Sequence, residues 1–183
     1  MKSAYRVRTL WQSLNSRLLT SFYKFLGMRI QGKVWLEMIE WPARPACITL
    51  ENGVALDRGV TLLATNDTAR IVIGQSCYIN RQTMLDASEL IEIGANTMIG
   101  PFCYITDHDH TFGPGLVPGE TPLVSSPTRI GKRCWLGAHV SILKGVAIGD
   151  GTVVGAGSVV TKSLPAGVVA AGNPAKVLRE MAS

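Results

Sequence analysis

The chain has 183 residues, with 46% hydrophobic against 17% charged residues and a formal net charge of +5. That balance excludes a disordered tail and permits one domain with a sizeable core. Only 7% of residues are aromatic while 19 are glycine, so aliphatic side chains have to fill that core.

The charge is concentrated at the start. Lys2, Arg6, Arg8, Arg17, Lys24, Arg29 and Lys33 all precede Glu37, the first acidic residue. Residues 1–36 therefore carry +7, and the remainder, with 11 basic and 13 acidic residues, carries −2. A basic surplus points to nucleic acid, anionic lipid or an anionic small molecule as partner. Within this segment, Leu10, Trp11, Leu14, Leu18, Phe22, Phe25 and Leu26 recur at steps of three and four. The spacing predicts an amphipathic helix over 8–28, with Gly27 as its stop and Gln12, Ser13, Arg17 and Lys24 opposite. Such a helix either packs on the rest of the protein or a neighbouring subunit, or rests on an anionic membrane surface.

Cys47, Cys77, Cys103 and Cys134 are spaced 30, 26 and 31 residues apart. They form no CxxC pair and are too sparse for a disulfide scaffold. No apolar run is long enough to span a membrane, and no signal-peptide pattern opens the chain. A cytoplasmic protein with reduced thiols is expected.

From about residue 48 a six-residue period replaces the helical one. Ile130, Leu136, Ile142, Ile148, Val154 and Val160 follow at steps of six, and Gly131, Gly137, Gly149 and Gly155 come directly after four of them. Ile73, Ile79 and Leu85 form an earlier set, Ile93, Ile99 and Ile105 another, and Ile48, Val54 and Val60 a weaker first one. A short fixed period signals a solenoid. Each six-residue step suits a short strand and a turn, and three steps close one triangular coil. Glycine after the inward residue serves turns of unusual φ or close backbone approach. Cys77, Cys103 and Cys134 each lie four residues after an inward aliphatic, which reads as one recurring slot for a small packing residue. The expected organisation is a basic helical segment at 1–47 and a solenoid domain at 48–183. The period breaks at 111–129, TFGPGLVPGETPLVSSPTR, whose prolines and glycines predict an excursion from one corner.

The repeats, together with WLGAHV (135–140), GAGSVVTK (155–162), GNPAKVLR (172–179) and a His ahead of the excursion, resemble the hexapeptide-repeat acyltransferases. The resemblance covers roughly 48–180 and lies closest to the sugar O-acetyltransferases of the maltose, galactoside and colanic acid branch. It implies an all-β left-handed parallel β-helix, acetyl-CoA as co-substrate without a metal, and a homotrimer with sites between subunits. The maltose and galactoside branch carries an acidic helical extension, whereas residues 1–47 here are basic.

The chain has three histidines, His108, His110 and His139. Acyl transfer to a hydroxyl needs a base near neutral pKa, and imidazole suits this. The family's catalytic His aligns with His108 in TDHDH, with His110 as fallback near the acceptor; either Asp107 or Asp109 could orient the ring. His139 reads as structural. The resemblance implies CoA contacts at Trp135, Gly137, Ala138, Gly155, Ala156, Thr161 and Lys162, and phosphate cations at Lys176 and Arg179. Against this, Trp135 reads equally as a surface aromatic, and the three cations as ordinary surface charge. Asn80 and Asp86 align with acceptor-contacting positions.

The expected activity is O-acetylation of a carbohydrate hydroxyl, free, nucleotide- or lipid-linked, in surface polysaccharide synthesis. A xenobiotic or amino-sugar N-acetyltransferase and a non-catalytic β-helical binding module are the other readings. A γ-type carbonic anhydrase needs a pair spaced HxxxxH, and the histidine intervals here are 2 and 29. With the cations divided between cofactor phosphates and the N-terminal helix, nucleic acid explains neither group. Peripheral membrane contact through the helix remains as the second use of charge.

Overall fold

A computed structural model describes residues 2–181, with side chains described from residue 14 onward. Leu10, Trp11, Gln12 and Ser13 thus lie outside the described side chains. Helix α1 (Lys2–Phe25) starts earlier than the spacing predicted and ends ahead of Gly27. Gly27 has φ +98, and Met28 N–H closes back on the Tyr23 carbonyl at 3.0 Å.

The rest of the chain winds into a β-solenoid of about seven turns with three parallel faces. The first face stacks Arg29–Ile30, Ile48–Leu50, Arg70–Ile73, Leu90–Ile93, Thr128–Ile130 and Ala147–Ile148. The second stacks Trp35–Leu36, Ala55–Leu56, Tyr78–Ile79, Met98–Ile99, Trp135–Leu136, Val153–Val154 and Val168–Gly172, closed by the antiparallel Ala175–Glu180. The third stacks Thr61–Ala64, Met84–Ala87, Tyr104–Thr106, Ser141–Ile142 and Val159–Val160. Every aliphatic of the six-residue repeat from Ile73 to Val160 is at most 3% exposed. Register stacks like on like: Ile79, Ile99, Leu136 and Val154 form one column, and Leu85, Ile105, Ile142 and Val160 another. Each buried Leu or Ile is worth roughly 1.5–3 kcal/mol relative to exposure.

Two expectations change, and the choice left open for the glycines is decided. Residues 29–36, placed by sequence with the N-terminal segment, already contribute two strands in register with the coil that follows. The first repeat set is offset by two. Ile48, Val54 and Val60 are buried, but the columns run through Leu50, Leu56 and Leu62, paired with Ile73, Ile79 and Leu85. Both series point inward because side chains two apart share a strand face, so periodicity alone does not choose between them. The glycines after the inward residues serve close approach, not positive φ. A Cβ on Gly137 would sit 2.6 Å from Ala156 N, and one on Gly94 would sit 2.6 Å from Gly131 C. Positive φ falls instead on Ser76, Gln82, Asn96, Phe102, Arg133 and His139, among other turn residues.

The excursion leaves between the third and first faces. His108–His110 pairs antiparallel with Leu123–Ser125, and the coil resumes at Thr128, so both loop histidines belong to the excursion's base strand.

Candidate active site

The corner where the excursion departs is built on Asp107. This residue is fully buried. Its carboxylate accepts N–H bonds from Ser88 at 2.7 Å, Glu89 at 2.8 Å and Leu90 at 2.6 Å, all on the preceding coil. Its carbonyl accepts Ser126 N–H at 2.7 Å, which pins the returning strand. The same Oδ1 lies 3.0 Å from His108 Nδ1. An acceptor at that distance assigns the ring proton to Nδ1 and leaves the Nε2 lone pair free. Of the two candidates, Asp107 therefore orients the imidazole. Asp109 instead faces Lys144, Oδ2 to Nζ 3.0 Å.

His108 is only 8% exposed. Its Nε2 faces Asp86 Oδ2 at 3.9 Å. Asp86 sits on the outer side of the third face, where Oδ2 accepts the Tyr104 hydroxyl at 3.2 Å. Asp86 Oδ1 is buried with no hydrogen-bond partner among the described residues. Burial first, and then the Asp86 charge, push the Tyr104 hydroxyl up from its ordinary value. Tyr104 is thus a proton donor to Asp86 at neutral pH. A free imidazole nitrogen beside an unsatisfied carboxylate oxygen can accept a proton from a hydroxyl and hold a second donor nearby.

Other expected residues lie apart. His110 is exposed, and its Nδ1 is 2.9 Å from the Pro118 carbonyl within the excursion. Asn80 is half-buried, with Oδ1 accepting Arg81 N–H at 2.8 Å, at the turn between second and third faces. His139 occupies an exposed turn at φ 57 and stacks on Phe102, centroids 5.0 Å apart. Tyr104 went unnoticed in the sequence. Its signal is the coil register, which pairs Tyr104 with Met84 and so places it on the same outward side as Asp86.

The expected CoA contacts lie in three places. Gly137-Ala138 and Gly155-Ala156 stack at successive turns entering the third face, packed so closely that a Cβ on Gly137 would sit 2.6 Å from Ala156 N. Trp135 is 54% exposed on the second face beside Met98 and Val153. Lys176 and Arg179 are exposed on the closing strand of that face. Thr161 and Lys162 follow the last strand of the third face. The small-residue turns enter the third face and His108 leaves it, so one chain places them on opposite edges. The residues fit a long ligand with a peptide-like arm and a phosphate end. Among the described residues no group of three or more His, Cys, Asp or Glu could hold a metal.

The cysteines match the packing slot. Cys77, Cys103 and Cys134 are buried, each with its thiol on a carbonyl of the next coil at 3.1–3.2 Å. Burial pushes all three thiols up from the ordinary value.

A family model described as the hexapeptide repeat of succinyl-transferase matches residues 127–162. Galactoside O-acetyltransferase of Escherichia coli K12 is 40% identical over 114 residues, 62% of this chain and 55% of that one. The chain spans about three fifths or less of the length of the curated relatives it matches. A hexapeptide-repeat acetyltransferase of Vibrio cholerae, solved with acetyl-CoA, superimposes with TM-score 0.67 at 26% identity over 74% of this chain and 72% of that one. A maltose O-acetyltransferase of Clostridium difficile 630 does so with TM-score 0.64 at 28% identity, over 80% and 72%. Repeat, register and likeness agree: the chain shares the fold of the hexapeptide-repeat acetyltransferases and is similar to them in sequence.

Proposed function

We propose that this chain transfers an acetyl group from acetyl-CoA to a carbohydrate hydroxyl, with His108 as general base. The observation carrying the reading is the clamped imidazole: Nδ1 held 3.0 Å from buried Asp107, Nε2 open toward Asp86. His108 Nε2 takes the acceptor's hydroxyl proton as its oxygen attacks the thioester carbonyl carbon. The carbon–sulfur bond then breaks, and CoA leaves as its thiol with that proton. Asp86 Oδ1 accepts a second hydroxyl of the acceptor, which favours a polyol over a simple alcohol. A free, nucleotide-linked or lipid-linked sugar of surface polysaccharide synthesis fits this requirement.

CoA would lie along Gly137, Ala138, Gly155 and Ala156, with Trp135 as a wall and Thr161, Lys162, Lys176 and Arg179 toward its polar end. Because those turns and His108 lie on opposite edges of the third face, the reading uses three parallel copies with each site between two. The exposed outward column of Tyr78, Met98 and Trp135, with Phe102 and Tyr104 near it, supports coverage by another subunit.

The test is acetyl transfer by wild type and His108→Ala, using acetyl-CoA with free sugars, nucleotide sugars, amino sugars and polysaccharide. CoA thiol release and product mass are read together. The variant is expected to lose roughly 10²–10⁴-fold in kcat, and equal rates would remove His108 as base. Absence of acetyl-CoA binding by calorimetry would leave a non-catalytic binding module. Exclusive transfer to amino groups would move the chain to the N-acetyltransferases.

A further inference from the structure

Helix α1 docks on the solenoid with a face other than its most apolar one. Tyr23 is buried at 4% exposure, and Leu19 and Leu26 pack on the core beside it. Ser16, buried, accepts Leu36 N–H at 2.8 Å and donates to the Val34 carbonyl. The stripe at steps of four, four and three is left outside: Leu14 is 54%, Leu18 63%, Phe22 41% and Phe25 87% exposed. The first coil adds Trp41, 65% exposed, with its ring 5.4 Å from that of Phe22. Beside the stripe, a cleft of about 480 Å³ opens between α1 and the first coil. Arg17 and Lys33 bring positive charge to it, Thr20 and Ser21 hydroxyls, and Trp35 an indole.

We propose that this face docks on an anionic phospholipid bilayer. The stripe and Trp41 enter the boundary between headgroups and acyl chains, and Arg17 and Lys33 take a lipid phosphate in the adjoining cleft. Charge selects this occupant. Residues 1–36 carry +7 with no acidic residue, while the rest carries −2, so an anionic plane attracts one end of the molecule and weakly repels the other. An aromatic with one apolar and one polar edge, as at Trp41, suits that boundary. Among the described residues no helix is apolar enough to cross a membrane, so α1 lies on the surface. The proposal is independent of the acyl-transfer reading.

The test is sedimentation of the full chain with vesicles of phosphatidylcholine alone or with phosphatidylglycerol added, at low and high salt. Light scattering and thermal melting accompany each variant. Wild type should bind the anionic vesicles and release in salt. Arg17→Gln with Lys33→Gln should weaken binding by about five-fold per cation. Leu18→Glu with Phe22→Glu should abolish it at unchanged melting temperature, and Leu18→Ser with Phe25→Ser provides a milder pair. Equal binding to both vesicle types, or wild-type binding by both stripe variants, would overturn the proposal. So would stripe variants that lose oligomeric mass, which would assign the stripe to a subunit interface.

Discussion

An imidazole works as a base only when its ring is held, and His108 is held by a residue that water does not reach. Asp107 has four donors on two oxygens, three from backbone and one from the ring. Each oxygen takes two of them, so Asp107→Asn would turn an amide NH₂ toward two donors. A loss of about 1–3 kcal/mol in urea unfolding is expected, with kcat falling well beyond that of Asp109→Asn. The latter carboxylate is about half exposed, with Lys144 as its partner, and makes the control. Asp86→Asn is the complementary case, since its buried Oδ1 has no partner for the change to break. The acceptor KM should rise about tenfold or more while the KM for acetyl-CoA stays unchanged; a shift confined to acetyl-CoA would remove Asp86 from the acceptor site. His108 was legible as a candidate because imidazole is the side chain suited to the chemistry. Tyr104 was not, because its relation to Asp86 exists only between adjacent coils.

At the scale of the coil, each side combines an inward aliphatic, a close-packed turn and a small buried polar slot. The slot holds Cys77, Thr97, Cys134 and Thr152 in one column, each bonded to a carbonyl of the next coil. A hydroxyl therefore replaces a thiol with the same partner, and Cys134→Ser should change stability by less than about 1 kcal/mol. A larger loss by calorimetry would mean the thiol's size matters more than its bond. Gly137→Val should cost more, about 1–3 kcal/mol, because its Cβ meets backbone at 2.6 Å. Gly151→Ala, at φ +68 with nothing within 4 Å, tests conformation alone and should cost about 1 kcal/mol. The six-residue period exposed the coils because each inward aliphatic is required for packing. It misplaced the first set by two because inward positions recur at two as well as at six.

Across the whole molecule the buried thiols set a pH dependence. Cys77, Cys103 and Cys134 all titrate above the ordinary value of 9.0 when folded. The folded chain then holds these protons more tightly than the unfolded chain. Their stabilisation is full below 9.0 and is lost as pH rises through the folded values. Urea midpoints should fall above that pH, and replacing all three by Ser should flatten the fall. A flat wild-type profile would show that the thiols do not govern stability there.

The solenoid, the excursion, the division of charge and a short list of bases are all legible in the order of residues. These are local or periodic properties, repeated at every coil and readable without knowing what lies beside what. The folded chain is needed to show which Asp orients His108, that Asp86 faces it with Tyr104 bonded behind, and that helix α1 turns Leu14, Leu18, Phe22 and Phe25 outward. Those outcomes depend on hydrogen bonds and contacts between residues about 17 to 22 positions apart. That separation is the length of one coil, and no side chain's identity encodes its neighbour across it.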